Sequence, residues 1–229
     1  MTKNSTVLVV GASRGLGYAL AQEWLERGWQ VIATVRGSSD ALTDLQNRFP
    51  QNLDIETVDI ANVESVSDLR NRLEGRELDV LYINAGIARA IEKSPGSADE
   101  KDFLDMMLVN AFAPVRAAEI LHDLVSTGGT LAIMTSELGS IENAEGAWQL
   151  YASSKAALNM LMKGYAAQHL SDRHTILLVA PGWVRTEMGG SEASLSIEES
   201  IPLVVDTVEA HRGKSGLRYV DRFGATLPW

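Results

Sequence analysis

Thr6-Val-Leu-Val-Val10 leads directly into Gly11-Ala-Ser-Arg-Gly15-Leu-Gly17 near the start of this chain. The apolar run predicts a buried strand, and the apolar spacing from Leu16 to Trp24 predicts a helix that closes near Gly28. Glycines between a strand and a helix permit a tight turn and let the backbone approach a pyrophosphate, which the helix N-terminus also attracts. The alternative is a loop that merely requires positive φ angles. In this context, we expect cofactor contacts from Gly11, Ser13, Arg14, Gly15, Leu16 and Gly17.

Strands and helices alternate along the whole sequence. Further strands are predicted over 31–35, 53–58, 78–83, 130–134, 176–179 and 217–220. Helices are predicted over 40–48, 62–73, 99–126, 150–170 and 198–211, and we expect the 99–126 helix to start after Ser97 or Asp99 and to be closed by Gly128-Gly129. Short, continuously apolar strands are typical of a sheet covered on both faces. The sequence therefore predicts an α/β fold with a doubly wound, mostly parallel sheet of about seven strands, in a single domain over 1–229.

The bulk properties argue against several classes of protein. Of the 229 residues, 45% are hydrophobic, which supports a sizeable core, and the net charge is −10. That charge argues against a nucleic-acid-binding surface and against anionic membranes. There is no Cys, and the four histidines, at 122, 169, 174 and 211, are scattered along the sequence, so no disulfide and no metal-ligand cluster is expected. No charged-then-apolar leader precedes the first strand and no apolar run approaches membrane-spanning length, so we expect a cytoplasmic protein.

Two arginines are placed to influence the choice of cofactor. Arg36 follows the second strand, where an acidic residue usually holds the adenosine ribose in an NAD enzyme, and no Asp or Glu occupies 33–37. Arg14 lies within the glycine turn. Two cations near that ribose suit a 2′-phosphate, so the sequence predicts NADP(H) in preference to NAD(H). The alternative is a pair of solvated surface arginines.

Small and polar residues also follow the third, fourth and sixth strands, at the sheet edge where ligands bind. Asp59, with Ile60 beside it, can accept a hydrogen bond from an adenine amino group or serve only in a turn. The stretch Asn84-Ala85-Gly86 either permits close backbone approach or forms an ordinary turn. After the sixth strand, a turn could present backbone groups and a hydroxyl to a nicotinamide amide, or could simply terminate the strand; its cofactor candidates are Pro181, Gly182, Val184 and Thr186. Residues 183–200 are expected to form a substrate loop, most mobile in its Gly/Ser/Glu-rich part, 189–200.

Two further polar residues occupy positions where chemistry is plausible. Asn110 lies in the middle of an apolar helix, where Asn is a poor helix former and where burying its amide without partners is costly. It either makes structural hydrogen bonds or holds a water for proton relay. Ser136 ends the fifth strand, and its hydroxyl could donate to a substrate oxygen, although Ser140 is a rival.

Tyr151-Ala-Ser-Ser-Lys155 places a phenol and an ammonium group four residues apart at the start of a helical pattern. Residues at this spacing share one helix face. A nearby cation favours the phenolate and lowers the pKa of a tyrosine, so Tyr151 could exchange a proton near neutral pH. Alone, this spacing also fits an exposed helical Tyr and Lys, which are common.

Taken in order, these motifs closely resemble those of the short-chain dehydrogenase/reductase family over essentially the whole chain. The matching residues are Gly11-Ala-Ser-Arg-Gly15-Leu-Gly17, Asp59, Asn84-Ala-Gly86, Asn110, Ser136, Tyr151-x3-Lys155 and Pro181-Gly182. Within the family, Gly139-Ser-Ile141 and the final Leu227-Pro-Trp229 resemble the small carbonyl reductases and C-factor-like proteins. The resemblance implies a Rossmann fold, NAD(P) binding and a catalytic set of Asn110, Ser136, Tyr151 and Lys155.

By this resemblance, Tyr151 acts as general acid in reduction and general base in oxidation. Ser136 positions the substrate oxygen, Lys155 lowers the Tyr151 pKa and holds the nicotinamide ribose, and Asn110 supports a water relay. An apolar pocket for a small-molecule ketone, aldehyde or quinone is expected from Leu138, Trp148, Trp183 and Met188. Plain core packing is an alternative for Trp148 and Met188.

Two other functions fit the same resemblance. One is a signalling or regulatory protein that binds NAD(P)H with little turnover, and the other is an epimerase or dehydratase. An intact Tyr151, Lys155 and Ser136 set favours the oxidoreductase. The family usually self-associates through the helices that carry Asn110 and Tyr151, so a homo-oligomer, dimer or tetramer, is expected, with apolar faces within 112–122 and 157–165.

Overall fold

The computed structural model describes residues 5–229. Seven strands form one sheet in the order β3-β2-β1-β4-β5-β6-β7, and every neighbouring pair is parallel. The strands are β1 (Thr6–Val10), β2 (Gln30–Val35), β3 (Leu53–Thr57), β4 (Leu78–Ile83), β5 (Val125–Met134), β6 (Thr175–Ala180) and β7 (Gly216–Asp221). The predicted doubly wound parallel sheet is therefore confirmed.

Helices connect these strands. They are α1 (Gly15–Glu26), α2 (Asp40–Arg48), α3 (Val63–Arg72), α4 (Glu100–Met106), α5 (Ala113–Leu121), α6 (Gln149–Gln168) and α7 (Ile197–His211). A π-helical turn, Met107–Phe112, joins α4 to α5 without a break. Within the part of the chain that the structure describes, no helix has the length and apolar character needed to cross a bilayer.

Alternate side chains of β1 enter two separate cores. Leu8 and Val10 pack with buried residues of α3, α5 and α6, whereas Val7 and Val9 pack with those of α1, α2 and α7. Both faces of the sheet are covered, which explains why the strands are continuously apolar rather than alternating. The sheet order reverses between β1 and β4, and in such sheets ligands bind outside the carboxyl ends of the strands at that point.

The predicted helix over 99–126 is correct at its start and wrong at its end. Asp99 caps α4, since its carboxylate accepts a hydrogen bond from the backbone N–H of Lys101 over 2.8 Å. β5, however, already begins at Val125, which pairs with Leu78. The Gly128-Gly129 pair lies inside this strand, near a shift in its register with β4, and so does not close a helix. Strand pairing has overridden the local helical pattern.

The predicted loop over 183–200 also ends earlier than expected. α7 begins at Ile197 behind a capping box, in which Ser196 accepts from the Glu199 N–H and the Glu199 side chain accepts from the Ser196 N–H. The last four residues of the predicted loop are therefore helical. Within the loop, Arg185 N–H donates to the Leu195 carbonyl and Leu195 N–H donates to that of Trp183, over 2.8 and 3.0 Å. The mobility expected for 189–200 stays a prediction.

Two of the four histidines lie close together in space, although their scattered positions in the sequence led us to expect no metal-ligand cluster. The His122 and His169 rings lie 5.2 Å apart between centroids, and His169 Nδ1 lies 2.8 Å from Asp172 Oδ2. The expectation failed because α5 and α6 pack against each other and end at the same edge of the sheet. The distance between His122 and His169 along the sequence gives no indication of this contact.

Trp24 offers a test of the core beneath α1. It is fully buried, lies 6.0 Å from Trp29 and 5.7 Å from Tyr82 between ring centroids, and its indole N–H has no hydrogen-bond partner among the described residues. Trp24→Ala should lower the free energy of unfolding by about 3–5 kcal/mol because it leaves a cavity. Trp24→Phe should cost less than about 2 kcal/mol, since it keeps a ring and removes an unpaired donor. Urea unfolding measures both, and equal losses would contradict this picture of the core.

Candidate active site

The glycine turn after β1 is packed backbone against backbone. A Cβ at Gly11 would lie 2.9 Å from the Ala85 backbone, and one at Gly17 would lie 2.0 Å from the Gly11 carbonyl oxygen. Both positions therefore require glycine. Asn84 fixes the same carbonyl from the other side, since its Nδ2 donates to Gly11 O over 2.8 Å. The turns after β1 and β4, which the sequence assigned separately to the cofactor, are thus brought together.

The N-terminus of α1 is open to an anion. Arg14 occupies its N-cap position with no side-chain cap, and its first turn holds no acidic residue. Four other helices, α2, α3, α4 and α7, each have a side-chain cap and an acidic first turn. The N–H groups of an uncapped first turn, together with the helix dipole, favour a phosphate. The chain's own residues therefore fit the pyrophosphate of a dinucleotide at this turn.

The two predicted arginines differ in their surroundings. Arg36 is exposed and has no hydrogen bond or ion pair with any residue from 5 to 229. Arg14 makes an ion pair with Glu187 over 2.6 Å, and both side chains are about three-quarters exposed (73% and 74%). An ion pair this exposed contributes little and can be exchanged for another partner. The structure does not link Arg14 to Arg36 by any contact.

Asp59 acts in a turn, and Ile60 beside it is buried. The Asp59 Oδ1 accepts from the Ala61 N–H over 3.0 Å, and the Asp59 N–H donates to the Ser65 hydroxyl over 3.0 Å. Asp59 therefore has the turn role that the sequence analysis gave as one alternative. The other alternative, a hydrogen bond from adenine to Asp59, stays a prediction.

Asn110 lies in the π-helical turn and is fully buried. Its Nδ2 donates to the Ile87 carbonyl over 2.8 Å and to the Ser154 hydroxyl over 3.0 Å, while its Oδ1 accepts from the Ile87 N–H over 2.8 Å. Structural hydrogen bonds thus account for both amide hydrogens, and the water relay stays a prediction. Asn110 ties the segment after β4 to the helix that carries Tyr151.

Ser136 and Tyr151 meet at the end of β5, where the Ser136 side chain is close enough to the phenol to lower its pKa. The Ser136 hydroxyl also accepts from the Leu138 N–H over 3.2 Å. Its rival Ser140 is 2% exposed, and its hydroxyl accepts from the Asn143 N–H within its own loop. Ser136, and not Ser140, is therefore next to the phenol.

Lys155 lies on the same helix face as Tyr151, with its Nζ 5.7 Å from the centroid of the Tyr151 ring. That nitrogen donates to the Met134 carbonyl over 2.9 Å. Burial lowers the pKa of Lys155 to about 8. Burial also raises the pKa of Tyr151, an effect that Ser136 only partly offsets. Burial therefore sets the direction of the Tyr151 shift, and the lowering expected from Lys155 stays a prediction.

The turn after β6 completes this edge of the site. The Ser200 hydroxyl, fully buried, donates to the Pro181 carbonyl over 2.7 Å. Gly182 has a φ of +83°, and Val184 is buried and bridges to Leu195. A Cβ at Gly15 would lie 3.8 Å from Cγ2 of Thr186, so the two turns face each other.

An apolar cluster surrounds Tyr151 and includes two of the four predicted substrate residues. Trp148 packs edge-on against the Tyr151 ring, 5.6 Å between centroids, and Leu138 joins the same cluster. Trp183 and Met188 are 49% and 40% exposed and lie outside this cluster, on the loop after β6. The sequence analysis missed the other members, Ile87, Ala88, Ala90, Ala98, Phe103, Met106 and Leu150.

Four supporting residues were also missed, each of which makes a side-chain hydrogen bond at or beside the site. Thr34 Oγ1 accepts from the Gly11 N–H over 3.0 Å, and the Tyr219 hydroxyl donates to the Ser136 carbonyl over 2.6 Å. The other two are Asn159, which accepts from the Thr135 hydroxyl over 2.8 Å, and Ser154, which holds Asn110. For Thr34 and Asn159, a polar side chain among apolar neighbours was the signal that could have found them.

Comparison with known proteins places this chain in a family. Residues 5–195 match the family model described as short chain dehydrogenase. A crystal structure of a short-chain dehydrogenase/reductase from Burkholderia multivorans with bound NADP is 46% identical, with a TM-score of 0.97 over 99% of this chain and all of that one. A carbonyl reductase from Pseudomonas aeruginosa PAO1 in complex with NADP is 38% identical, with a TM-score of 0.91 over 99% of this chain and all of that one.

A relative of known name also matches along almost the whole chain. The 1-hydroxy-2-glutathionyl-2-methyl-3-butene dehydrogenase of Rhodococcus sp. (strain AD45) is 29% identical over 98% of this chain and all of that protein. The chain therefore belongs to the short-chain dehydrogenase family and is, by class, an oxidoreductase with a Rossmann-type fold.

The burial of the Lys155 ammonium should lower the free energy of unfolding at neutral pH. Its pKa falls from 10.5 in an exposed chain to about 8 in the fold. Below pH 8 both states hold the proton, so the folded state carries the whole cost of the buried charge, and stability rises from pH 8 towards 10.5. Lys155→Met should therefore raise the free energy of unfolding at pH 7, by on the order of 3 kcal/mol.

Urea unfolding of both proteins at pH 7 and pH 10 checks this. The difference should be largest at pH 7 and should shrink at pH 10. A Lys155→Met protein that is less stable than the wild type at pH 7 would show that the ammonium is not an electrostatic burden.

Proposed function

We propose that this chain is an NADPH-dependent oxidoreductase that transfers a hydride between nicotinamide and a carbonyl or alcohol substrate. One observation carries the proposal: a buried Tyr151, next to Ser136 and on the same helix face as a buried Lys155, lies at the sheet edge that also holds the uncapped α1 N-terminus. A pure binding module has no chemical need for this buried set.

Several features support NADP(H) as the cofactor. The α1 N-terminus and the glycine turn would hold the pyrophosphate, and Arg36, free of other partners among residues 5–229, would bind the 2′-phosphate. Arg14 could exchange Glu187 for the same phosphate. Two similar solved proteins contain NADP. When bound, the nicotinamide supplies the hydride, and the protein supplies orientation and electrostatics.

Each member of the set has a distinct role in the proposed reaction. Ser136 donates a hydrogen bond to the substrate oxygen and holds it next to the phenol. Tyr151 gives its proton to that oxygen in reduction and removes it in oxidation. Lys155 holds the nicotinamide ribose and keeps a positive charge near the phenol. Asn110 fixes the segment from which Ile87 reaches the apolar cluster.

The surroundings of Tyr151 favour a small apolar carbonyl compound, such as a ketone, aldehyde or quinone. Trp148, Leu138 and Phe103 form an apolar wall. Exposed acidic residues lie in the adjoining segments, at Glu137, Glu142, Glu145 and Glu187, and they disfavour an anionic substrate. The similar carbonyl reductase supports the same substrate class.

We also propose self-association through the helices next to the site. Leu104, Leu108 and Phe112 follow one another at helical spacing and are 62%, 38% and 52% exposed. Met160 and Leu161 on α6 are 71% and 41% exposed. A surface with this many exposed apolar side chains is typical of an interface.

Removal of the Tyr151 hydroxyl tests the proposed acid. Tyr151→Phe should lower kcat for NADPH oxidation by at least about 100-fold, because it removes the group that donates the proton in the proposed reaction. NADPH affinity should not change. Tyr165→Phe, which removes a buried phenol at the opposite edge, is the matched control and should keep full turnover. Near-normal turnover in Tyr151→Phe would refute the role given to Tyr151.

Reversal of one charge tests the cofactor choice. Arg36→Asp should weaken NADPH binding by roughly 10- to 150-fold, the loss expected for one charge-assisted contact, and should leave NADH binding nearly unchanged. Arg48→Asp, an equal charge change at the end of α2, controls for general electrostatics. Fluorescence titration of both cofactors measures the ratio, and an unchanged preference for NADPH in Arg36→Asp would rule out this assignment.

A further inference from the structure

Three side chains with metal-binding atoms converge at the edge of the sheet opposite the active site. His122 immediately follows α5, His169 follows α6, and Asp172 lies in the short helical turn before β6. Each offers a ligand atom, and these atoms all lie within 4.8 Å of one another. None of the three has a part in the proposed reaction.

The hydrogen bonds of the two histidines indicate which ring nitrogens can bind a metal. His122 Nδ1 lies 2.7 Å from the Glu119 carbonyl oxygen, and His169 Nδ1 lies 2.8 Å from Asp172 Oδ2. The Glu119 carbonyl accepts only from a protonated nitrogen, so His122 carries its hydrogen on Nδ1 and a lone pair on Nε2. His122 is thus oriented as metal-ligating histidines are, with the far nitrogen donating to a carbonyl. At His169, a metal ion would take the place of the hydrogen between Nδ1 and Asp172 Oδ2, so that both atoms become ligands.

A buried hydroxyl beside these residues lacks a partner. Tyr165 is 3% exposed and stacks on His169, with ring centroids 4.2 Å apart. Its hydroxyl makes no hydrogen bond with any described residue. Burial is the main cause that raises the pKa of the Tyr165 hydroxyl, and the nearby carboxylates of Asp172 and Glu119 raise it further. A buried, unsatisfied hydroxyl is costly and indicates a water or a ligand at this place.

We propose that His122, His169 and Asp172 bind one divalent transition-metal ion, with Zn²⁺ as the ion that this donor set suits best. Two imidazoles and a carboxylate are a common zinc set, whereas Mg²⁺ and Ca²⁺ prefer oxygen donors alone. Water completes the coordination and provides the Tyr165 hydroxyl with a partner. The ligand atoms must move closer together, since tetrahedral Zn–N distances are about 2.0–2.1 Å.

The position of the ligands favours a structural role for the ion. It joins the ends of α5 and α6 to the segment that enters β6. Occupancy stabilises the folded state by mass action, because the unfolded chain has no preformed site. The ion does not reach the catalytic set at the other edge of the sheet.

Equilibrium dialysis with Zn²⁺, on the untagged full-length chain, tests the site. The wild type should bind one Zn²⁺ per chain, and His122→Gln and His169→Gln should each weaken binding by at least about 10-fold. His211→Gln, which changes the fourth histidine of the chain, should bind as the wild type does. Circular dichroism and NADPH oxidation, both in the presence of a chelator, check that each variant is folded.

Two additional readouts separate this site from adventitious binding. Co²⁺ in place of Zn²⁺ should give a visible ligand-field absorption band in the wild type that His122→Gln lacks. Zn²⁺ should raise the Tm of the wild type by several degrees and leave that of His122→Gln unchanged. Equal Zn²⁺ affinity in the wild type, His122→Gln and His169→Gln would overturn the proposal, as would an equal loss in His211→Gln.

Discussion

The contact between the turns after β1 and β4 is the constraint on which the site depends. No side chain fits at Gly11 or Gly17, because a Cβ there would meet the Ala85 backbone or the Gly11 carbonyl. The Asn84 amide then fixes that carbonyl. With the two turns joined, α1 begins beside the segment from which Ile87 reaches Asn110, and Asn110 in turn holds the helix of Tyr151 through Ser154. One backbone contact thus sets the distance between the anion-binding turn and the phenol.

Desolvation dominates the electrostatics of the catalytic set. Burial moves the pKa of Lys155 down to about 8 and that of Tyr151 up, so each shift favours the neutral form. Ser136 opposes the shift of the Tyr151 pKa without cancelling it. Such a site is costly to fold, and in the proposed reaction its dry surroundings would strengthen interactions with the charge that develops. Under that proposal, stability and catalysis make opposite demands on Lys155.

Local patterns in the sequence predicted most elements and the main site residues. α2 and β4 have the predicted bounds, and the glycine turn, Ser136, Tyr151 and Lys155 meet at one edge, because in a parallel sheet all strands end on the same side. Features set by tertiary contacts were not predictable. β5 starts at Val125 because Leu78 pairs with it, and His122 meets His169 only because α5 and α6 pack side by side. The direction of the Tyr151 pKa shift depends on burial, which helical spacing does not report.

Transfer of deuterium from NADPH that carries deuterium at both C4 positions of the nicotinamide tests the central claim most directly. The wild-type protein would be incubated with the labelled cofactor and a panel of aldehydes and ketones, and the products would be analysed by mass spectrometry. The account predicts an alcohol that carries one deuterium for each NADP⁺ formed, because the hydride passes directly from cofactor to carbonyl. Product formation without net NADPH consumption, or an alcohol without deuterium, would contradict it.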